Sequence, residues 1–362
     1  MTFLDSLGWD PFFENEYLRL QREGAVQDGF LPARVIAEER GFYRLGAEAN
    51  PDFLAEISGK FRYATKNRLD FPAVGDWVLA KVMGGKAPAQ IQHLFPRKTQ
   101  LVRRAAGERD HPQVLATNVD YAFLVTSLND DLNLRRLERY LTMVRDGGAQ
   151  PVVILTKADL CVDVQAKGTE VASVCGDADV HAVSAFADEG FEIFDEYLKP
   201  GKTAVLLGSS GVGKSTLLNH LIGSEVTKTQ AVREGDDKGR HTTTSRQLFK
   251  LPKGGLVIDT PGMRELQLLV DESAVEQTFP DVEALFLQCR FTNCRHGDEP
   301  GCAVTSALKS GKLEPARYES YLKLQRETAL LAKKKTKVTA AEGHKVWKKI
   351  QSHTHGGKPK KR

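Results

Sequence analysis

Leu206-Leu207-Gly208-Ser209-Ser210-Gly211-Val212-Gly213-Lys214-Ser215-Thr216-Leu217 is the stretch that decides the fold of this chain. It matches G-x-x-x-x-G-K-[ST], with an apolar strand run before it and a helical run after it (Leu217, Leu218, Leu221, Ile222). Glycines let the backbone wrap closely around phosphate oxygens, and the following helix turns its positive end toward them. In such a loop Lys214 bridges the β- and γ-phosphates, and the Ser215 hydroxyl holds Mg²⁺. The expectation is a nucleoside triphosphate site on an α/β fold.

Working outward, apolar runs alternate with helical stretches. Val119–Val125, Pro151–Leu155, Val180–Val183, Thr203–Leu207, Gln247–Leu251 and Leu256–Ile258 read as strands. Leu134–Val144, Val164–Val174 and Phe191–Leu198 read as helices. That alternation predicts a mostly parallel wound sheet with helices on both faces, whose ligands lie at the carboxyl ends of strands. Between about Leu31 and Gln100 the pattern differs. Short β-forming runs (34–36, 42–45, 61–63, 76–82 and 90–92) are punctuated by Gly41, Gly59, Gly75, Gly84 and Gly85. A five-stranded OB-type barrel fits them, and such barrels commonly bind nucleic acid. Residues 1–28 read as a polar arm with one short helix, and a further helix is expected from about Pro315.

Two features address the base. Ile154-Leu155-Thr156-Lys157-Ala158-Asp159 and Val183-Ser184-Ala185 each close a predicted strand. A carboxylate at Asp159 can accept hydrogen bonds from the N1–H and exocyclic amine of guanine, which adenine does not offer in that arrangement. Lys157 can lie along the purine face, and the Ala185 N–H can meet O6. Downstream, Val257-Ile258-Asp259-Thr260-Pro261-Gly262 ends a strand with an acid able to hold Mg²⁺ through water, and the Gly262 N–H can reach the γ-phosphate. Between phosphate loop and acid lies the hydroxyl-rich Gly239-Arg240-His241-Thr242-Thr243-Thr244.

Cys289-x₄-Cys294-x-His296-x₅-Cys302 offers three thiolates and one imidazole, a complete tetrahedral set for one structural Zn²⁺. Cys161 and Cys175 fall in helical, apolar contexts and are expected in the core. Five cysteines in 362 residues, three of them crowded together, exclude a disulfide scaffold. No apolar run is long enough to span a membrane, and the first twenty residues lack the basic start of a signal peptide. A cytoplasmic protein is expected. The formal net charge is +4, yet Lys333–Arg362 alone carries eleven Lys/Arg against the single acid Glu342. A basic tail on a mildly acidic body suits a polyanionic partner.

Taken together, the base-reading segments, phosphate loop, switch and Asp-x-x-Gly resemble the GTPase signature boxes in the rotated order of the circularly permuted GTPases. With the N-terminal barrel and the Cys/His segment, residues 30–330 are similar to the ribosome small subunit-dependent GTPase A family. The resemblance implies an α/β P-loop GTPase domain, circularly permuted, with an N-terminal OB-fold β-barrel and a C-terminal zinc-binding, helical domain. The division expected is an arm (1–30), barrel (31–108), GTPase domain (109–272), zinc-binding domain (273–332) and basic tail (333–362).

Carried onto this sequence, the family's GTP-binding positions are Thr156, Lys157, Asp159, Ser184, Ala185, Gly208, Ser209, Ser210, Gly211, Val212, Gly213, Lys214, Ser215, Thr216, Asp259 and Gly262. Mg²⁺ falls to Ser215 and Thr243, with the register among Thr242, Thr243 and Thr244 open. Thr156 replaces an asparagine common in other GTPases, which implies modest nucleotide affinity. Gly211 stands where some relatives carry a potassium-binding asparagine, so no potassium site is expected. Met263 occupies the place of the water-orienting glutamine of Ras-like enzymes, and a thioether cannot do that work. The resemblance therefore assigns catalysis to His241 with Lys214 and Thr243. It implies a monomeric GTPase that acts late in 30S maturation, binds 16S rRNA and is stimulated by the subunit. Two other readings compete: a nucleotide-gated rRNA-binding scaffold with incidental hydrolysis, and a P-loop ATPase or kinase. RNA contact is expected from Lys60, Arg62, Tyr63, Lys66 and Arg68 in the barrel, from Arg290, Phe291 and Arg295, and from the tail.

Overall fold

The computed structural model describes residues 2–39, 41–48, 50–85, 87–104, 112–129, 131–223, 246–260, 272–297 and 299–330. His241, Thr242, Thr243, Gly262, Met263 and the basic tail lie outside the described residues. The chain divides into two compact units, one drawn from Met1–Leu268 with Gln277–Pro280 and the other from Leu269–Glu276 with Asp281–Arg362.

In the first unit, five strands close the barrel: β1 (Phe30–Glu39), β2 (Phe42–Ala47), β3 (Asn50–Ile57), β4 (Trp77–Lys81) and β5 (Ala89–Leu94). They pair in the order β1-β2-β3-β5-β4, and β4 returns to β1. The β3–β5 pair is parallel and the others antiparallel, so a five-stranded barrel closes without a free edge. Ala33, Val35, Leu45, Ala55, Val78, Ala80 and Ile91 fill it. The run Phe61-Arg62-Tyr63, expected as strand, is helical instead, within Gly59–Ala64. Ser58 caps that helix by accepting the Phe61 amide at 3.1 Å, a local signal that three alternating residues cannot override.

Next come a hairpin of β6 (Gln100–Arg104) and β7 (Pro112–Thr117), then β8 (Tyr121–Ser127), β9 (Gln150–Thr156), β10 (Asp179–Ala182), β11 (Thr203–Leu207), β12 (Gln247–Lys250) and β13 (Leu256–Asp259). Strands β10-β9-β8-β11-β13 run parallel, and β12 runs antiparallel to β13. β8, β11 and β13 are buried almost throughout, as strands covered on both faces must be. Helices Leu134–Asp146, Val164–Cys175 and Lys214–Ile222 accompany this sheet. The expected helix Phe191–Leu198 is a 3₁₀ turn, Phe191–Ile193, followed by one α-helical turn, Phe194–Tyr197. Cys175 is buried as expected, but Cys161 follows the 3₁₀ turn Ala158–Leu160 and is half-exposed.

Barrel and nucleotide sheet are one hydrogen-bonded surface, joined where Ala37 of β1 pairs Gln247 of β12. The N-terminal residues are folded against both. They form two helices, Phe3–Ser6 and Pro11–Arg22, whose Leu7, Phe13 and Leu20 flank are buried. Trp9 and Phe13 meet Trp77 of the barrel at 4.7 and 5.8 Å between ring centroids. The buried Arg34 guanidinium of β1 donates to Leu7 O, to Thr203 Oγ1 at 3.0 Å and to Asn118 O at 3.0 Å. One side chain thus ties the N-terminal segment, the barrel and the nucleotide sheet together.

The second unit contains helices Pro280–Phe286, Ala303–Lys309 and 315–330. Arg317 binds Asp281 through both carboxylate oxygens at 2.6 and 2.5 Å, and the Tyr321 hydroxyl donates to Glu283 at 2.8 Å.

Candidate functional site

Because five strands run parallel, their carboxyl ends share one side of the sheet, and every described segment that the sequence assigns to base or phosphate leaves from that side. Gly208 follows β11 with φ +155°. A Cβ there would sit 2.3 Å from the Val125 carbonyl of β8, so only glycine lets the loop start this close to its neighbour. Val212 is buried, Ser210 and Gly211 are exposed, and Lys214 opens the helix. Thr216 is exposed on the first turn of that helix.

The base-reading segments come to the same place. Thr156 ends β9 and donates its hydroxyl to the Val212 carbonyl of the phosphate loop at 2.6 Å. A Cβ on Gly213 would meet the Thr156 side chain at 3.6 Å. Threonine here therefore braces the loop through its hydroxyl. Lys157 adopts a left-handed conformation (φ 58°), which turns the chain so that Asp159 sits on the 3₁₀ turn beyond it. Ser184 donates from Oγ to Asp159 Oδ1 at 2.5 Å, joining the two base-reading segments. Ser184 Oγ also accepts the Ala187 amide at 3.0 Å, folding the turn that holds Ala185.

The charged pair lies deeper. Asp259 ends β13 level with Leu206 of β11, and Lys214 and Asp259 are both buried. Burial pushes the Asp259 carboxyl up to about 6 against the pull of Lys214. Burial likewise pushes the Lys214 ammonium down to about 8 against the pull of Asp259. Lys214 Nζ donates to the Gly208 and Ser209 carbonyls at 2.9 and 2.6 Å. A buried ammonium whose hydrogen-bond partners among the described residues are carbonyls, with a costly ionised carboxylate nearby, fits polyphosphate and a divalent cation.

One contact was not anticipated from sequence. Ser209 Oγ donates to Asp131 Oδ2 at 3.0 Å, from the loop that follows β8. Its only sequence signal is the polar run after a strand, Ser127-Leu128-Asn129-Asp130-Asp131, which reads equally as an ordinary turn. Arg246 borders the barrel, 3.5 Å from Glu38.

In the second unit the ligand atoms of Cys289, Cys294, His296 and Cys302 all lie within 4.8 Å of one another. His296 Nδ1 is 3.5 Å from Cys289 Sγ and 3.9 Å from Cys302 Sγ, close to the nitrogen–sulfur edge of about 3.6 Å expected for a tetrahedral zinc site. Phe286 stacks on the His296 ring at 4.0 Å and fixes its plane. This donor set can hold a metal ion.

Comparison with known proteins agrees with this geometry. The RsgA GTPase family model matches residues 94–269. The small ribosomal subunit biogenesis GTPase RsgA of Opitutus terrae is 47% identical over 356 residues, covering 96% of this chain and 95% of that protein. The chain belongs to the RsgA GTPase family. A second RsgA, from Xanthomonas axonopodis pv. citri, is 45% identical over 334 residues, covering 91% of this chain and 90% of its own length. Among solved structures, YjeQ from Thermotoga maritima superposes with a TM-score of 0.60 at 27% identity, covering 83% of this chain and 99% of that one. YloQ, a circularly permuted GTPase, superposes at 0.56 with 27% identity, covering 83% of this chain and 96% of its own. For an RsgA GTPase the permuted order has a plain structural meaning: β9 and β10 precede the phosphate loop in sequence and lie beyond β8 on one side of it, and Thr156 at the end of β9 reaches the loop. Among the described residues no helix is long and apolar enough to cross a membrane.

Proposed function

We propose that this RsgA GTPase is a GTP-hydrolysing assembly factor that binds the small (30S) ribosomal subunit and its 16S rRNA, as a cytoplasmic monomer, and assists late maturation. The observation that carries the reading is the contact of Thr156 with Val212, which joins the guanine-reading turn to the phosphate loop. In the bound state Asp159, steadied by Ser184, accepts from the guanine N1–H and amine. Lys157 lies along the base, and the Ala185 amide meets O6. The amides of Ser209 through Thr216 surround the phosphates, and Lys214 leaves the Gly208 and Ser209 carbonyls for the β- and γ-phosphoryl oxygens.

Ser215 and Thr243 are the Mg²⁺ ligands, with Asp259 acting through water. Bound Mg²⁺ neutralises charge on the phosphates. The Gly262 amide reaches the γ-phosphate, and His241 orients water once the subunit orders its segment. Cys289, Cys294, His296 and Cys302 hold one structural Zn²⁺, because four protein ligands leave no open position for catalysis.

The arm, barrel, GTPase, zinc-binding and tail segments (1–30, 31–108, 109–272, 273–332 and 333–362) are the working division. Exposed Lys60, Arg62, Tyr63, Lys66 and Arg68 on the barrel, and exposed Arg290, Phe291 and Arg295, suit rRNA phosphates and unstacked bases. GTP turnover with and without purified 30S subunits, in the presence of competing ATP, tests the reading. Subunits should raise turnover while ATP fails to displace GTP. Turnover indifferent to subunits, or equal competition by ATP, defeats it.

A further inference from the structure

Among the described residues, side chains from outside the phosphate loop hold it at two points, and one of them belongs to the guanine-reading elements. At its far limb Thr156 holds the Val212 carbonyl. At its near limb, where Gly208 is pressed against β8, the Ser209 hydroxyl is held by Asp131. A carboxylate is an unfavourable neighbour for a loop built to receive polyphosphate, since like charges repel across a partly shielded protein surface.

Asp131 does not stand alone there. Arg136, on the first turn of helix Leu134–Asp146, donates from Nη2 to Asp131 Oδ2 at 2.8 Å and to the Asp131 carbonyl at 2.5 Å. Asn129 accepts the Asp131 amide at 3.2 Å and the Ser127 hydroxyl at 2.7 Å, which shapes the turn. Asn133 caps the helix by accepting the Arg136 amide at 2.9 Å. The same carboxylate oxygen therefore receives both the loop serine and the arginine.

We propose that Asp131 and Arg136 are positioning residues for the nucleotide: Asp131 fixes the near limb of the phosphate loop through Ser209, and Arg136 cancels the charge that this contact brings to the phosphates. The inference rests on the reading of Gly208–Ser215 as the GTP-binding loop. Removing Arg136 leaves an uncompensated carboxylate beside the phosphates, and its penalty is larger for GTP than for GDP, whose charge is smaller. Removing the charge of Asp131 relieves that penalty.

The test is a charge cycle on the full chain, reading GTP and GDP affinity at low and high KCl for wild type, Arg136→Met, Asp131→Asn and the double variant. Arg136→Met should weaken GTP by about tenfold at low salt, and by less at high salt, in keeping with a screened charge effect. The double variant should return to within about twofold of Asp131→Asn, a rescue that simple loss of packing does not give. Ser209→Ala, which leaves the charge pair intact, should weaken both nucleotides by similar factors. Arg136→Met binding GTP as wild type does, or a double variant as weak as Arg136→Met, overturns the proposal. If Arg136→Met fails to fold, Arg136→Lys serves in its place and should retain near-normal affinity; a Lys variant with a salt-independent tenfold loss also overturns it. Wild type that binds no guanine nucleotide would refute the underlying GTP reading instead.

Discussion

Replacing Phe13 by alanine tests whether the N-terminal helices are part of the fold or an appendage to it. Phe13 is 1% exposed, lies 5.8 Å from both the Trp9 and Trp77 rings, and has the Lys98 ammonium 5.1 Å from its face. Truncating so buried a phenylalanine costs about 3–5 kcal/mol, from lost transfer energy and the cavity left behind. That loss is capped by the docking energy of the segment itself. Leu7, Phe13 and Leu20 together contribute roughly 5–9 kcal/mol of gross burial, before ordering costs are subtracted. A Phe13→Ala variant should therefore leave the segment only weakly docked.

Hydrogen exchange of the amides in Pro11–Arg22 reads this directly. At about tenfold per 1.4 kcal/mol, protection should fall by about 10²–10⁴ unless global unfolding sets a lower ceiling. Tryptophan fluorescence should change in parallel, because Trp9 leaves Trp77. Protection reduced less than fivefold would mean that the aromatic cluster does not hold the segment, and the account of the N-terminus would fail.

Two further outcomes follow from the sites. Titration with a strong chelator should remove one zinc per chain and expose the amides of Ala303–Lys309, whose helix is capped by Cys302 Sγ at 3.5 Å from the Thr305 amide, while GTP binding persists; a His296→Ala chain retaining a full zinc equivalent would refute the ligand set. The charged pair predicts pH effects of opposite sign. Asp259, raised to about 6, gives stability that is whole below 3.8 and is lost as pH rises through 6. Lys214, lowered to about 8, gives stability that is whole above 10.5 and is lost as pH falls through 8. Because bound Mg²⁺ and phosphate favour both charged forms, nucleotide binding should release a proton from Asp259 near pH 6 and take one up on Lys214 near pH 8. Calorimetry in buffers of different ionisation heat measures both, and Asp259→Asn should abolish only the release at pH 6; proton uptake there by the wild type would contradict the assignment.

The parallel sheet was legible because its strands are buried on both faces and leave long apolar runs, each followed by a helical pattern. The phosphate loop and the cysteine cluster were legible because their chemistry is concentrated in a dozen residues. The N-terminal segment was not. Its buried positions, Leu7, Phe13 and Leu20, are spread among charges, and Trp77 and Phe95, the rings that Phe13 and Trp9 meet, lie far along the chain. Strand β3 escaped notice for a related reason: Asn50-Pro51-Asp52 opens it with residues typical of turns, and pairing with β2 and β5 makes it a strand. The helix at Phe61 is not legible from its own run, because the deciding residue, Ser58, stands outside it. Asp131 was invisible as a site residue because nothing in its neighbours identifies Ser209 as its partner.

The strand ladder between barrel and nucleotide sheet is a single register pair, Ala37 with Gln247, and the Arg34 bonds to Thr203 and Asn118 and the bond from the Thr117 amide to the Val74 carbonyl reinforce it. One pair alone would make a pivot; bonds at several separate places, Asn118 to the Gly75 carbonyl among them, clamp the two bodies and resist tilt. The strand at this join, β12, is laced along its other edge to the strand ending in Asp259. A displacement of the buried Asp259 carboxylate would therefore be handed on to the barrel as a whole instead of being absorbed at a hinge.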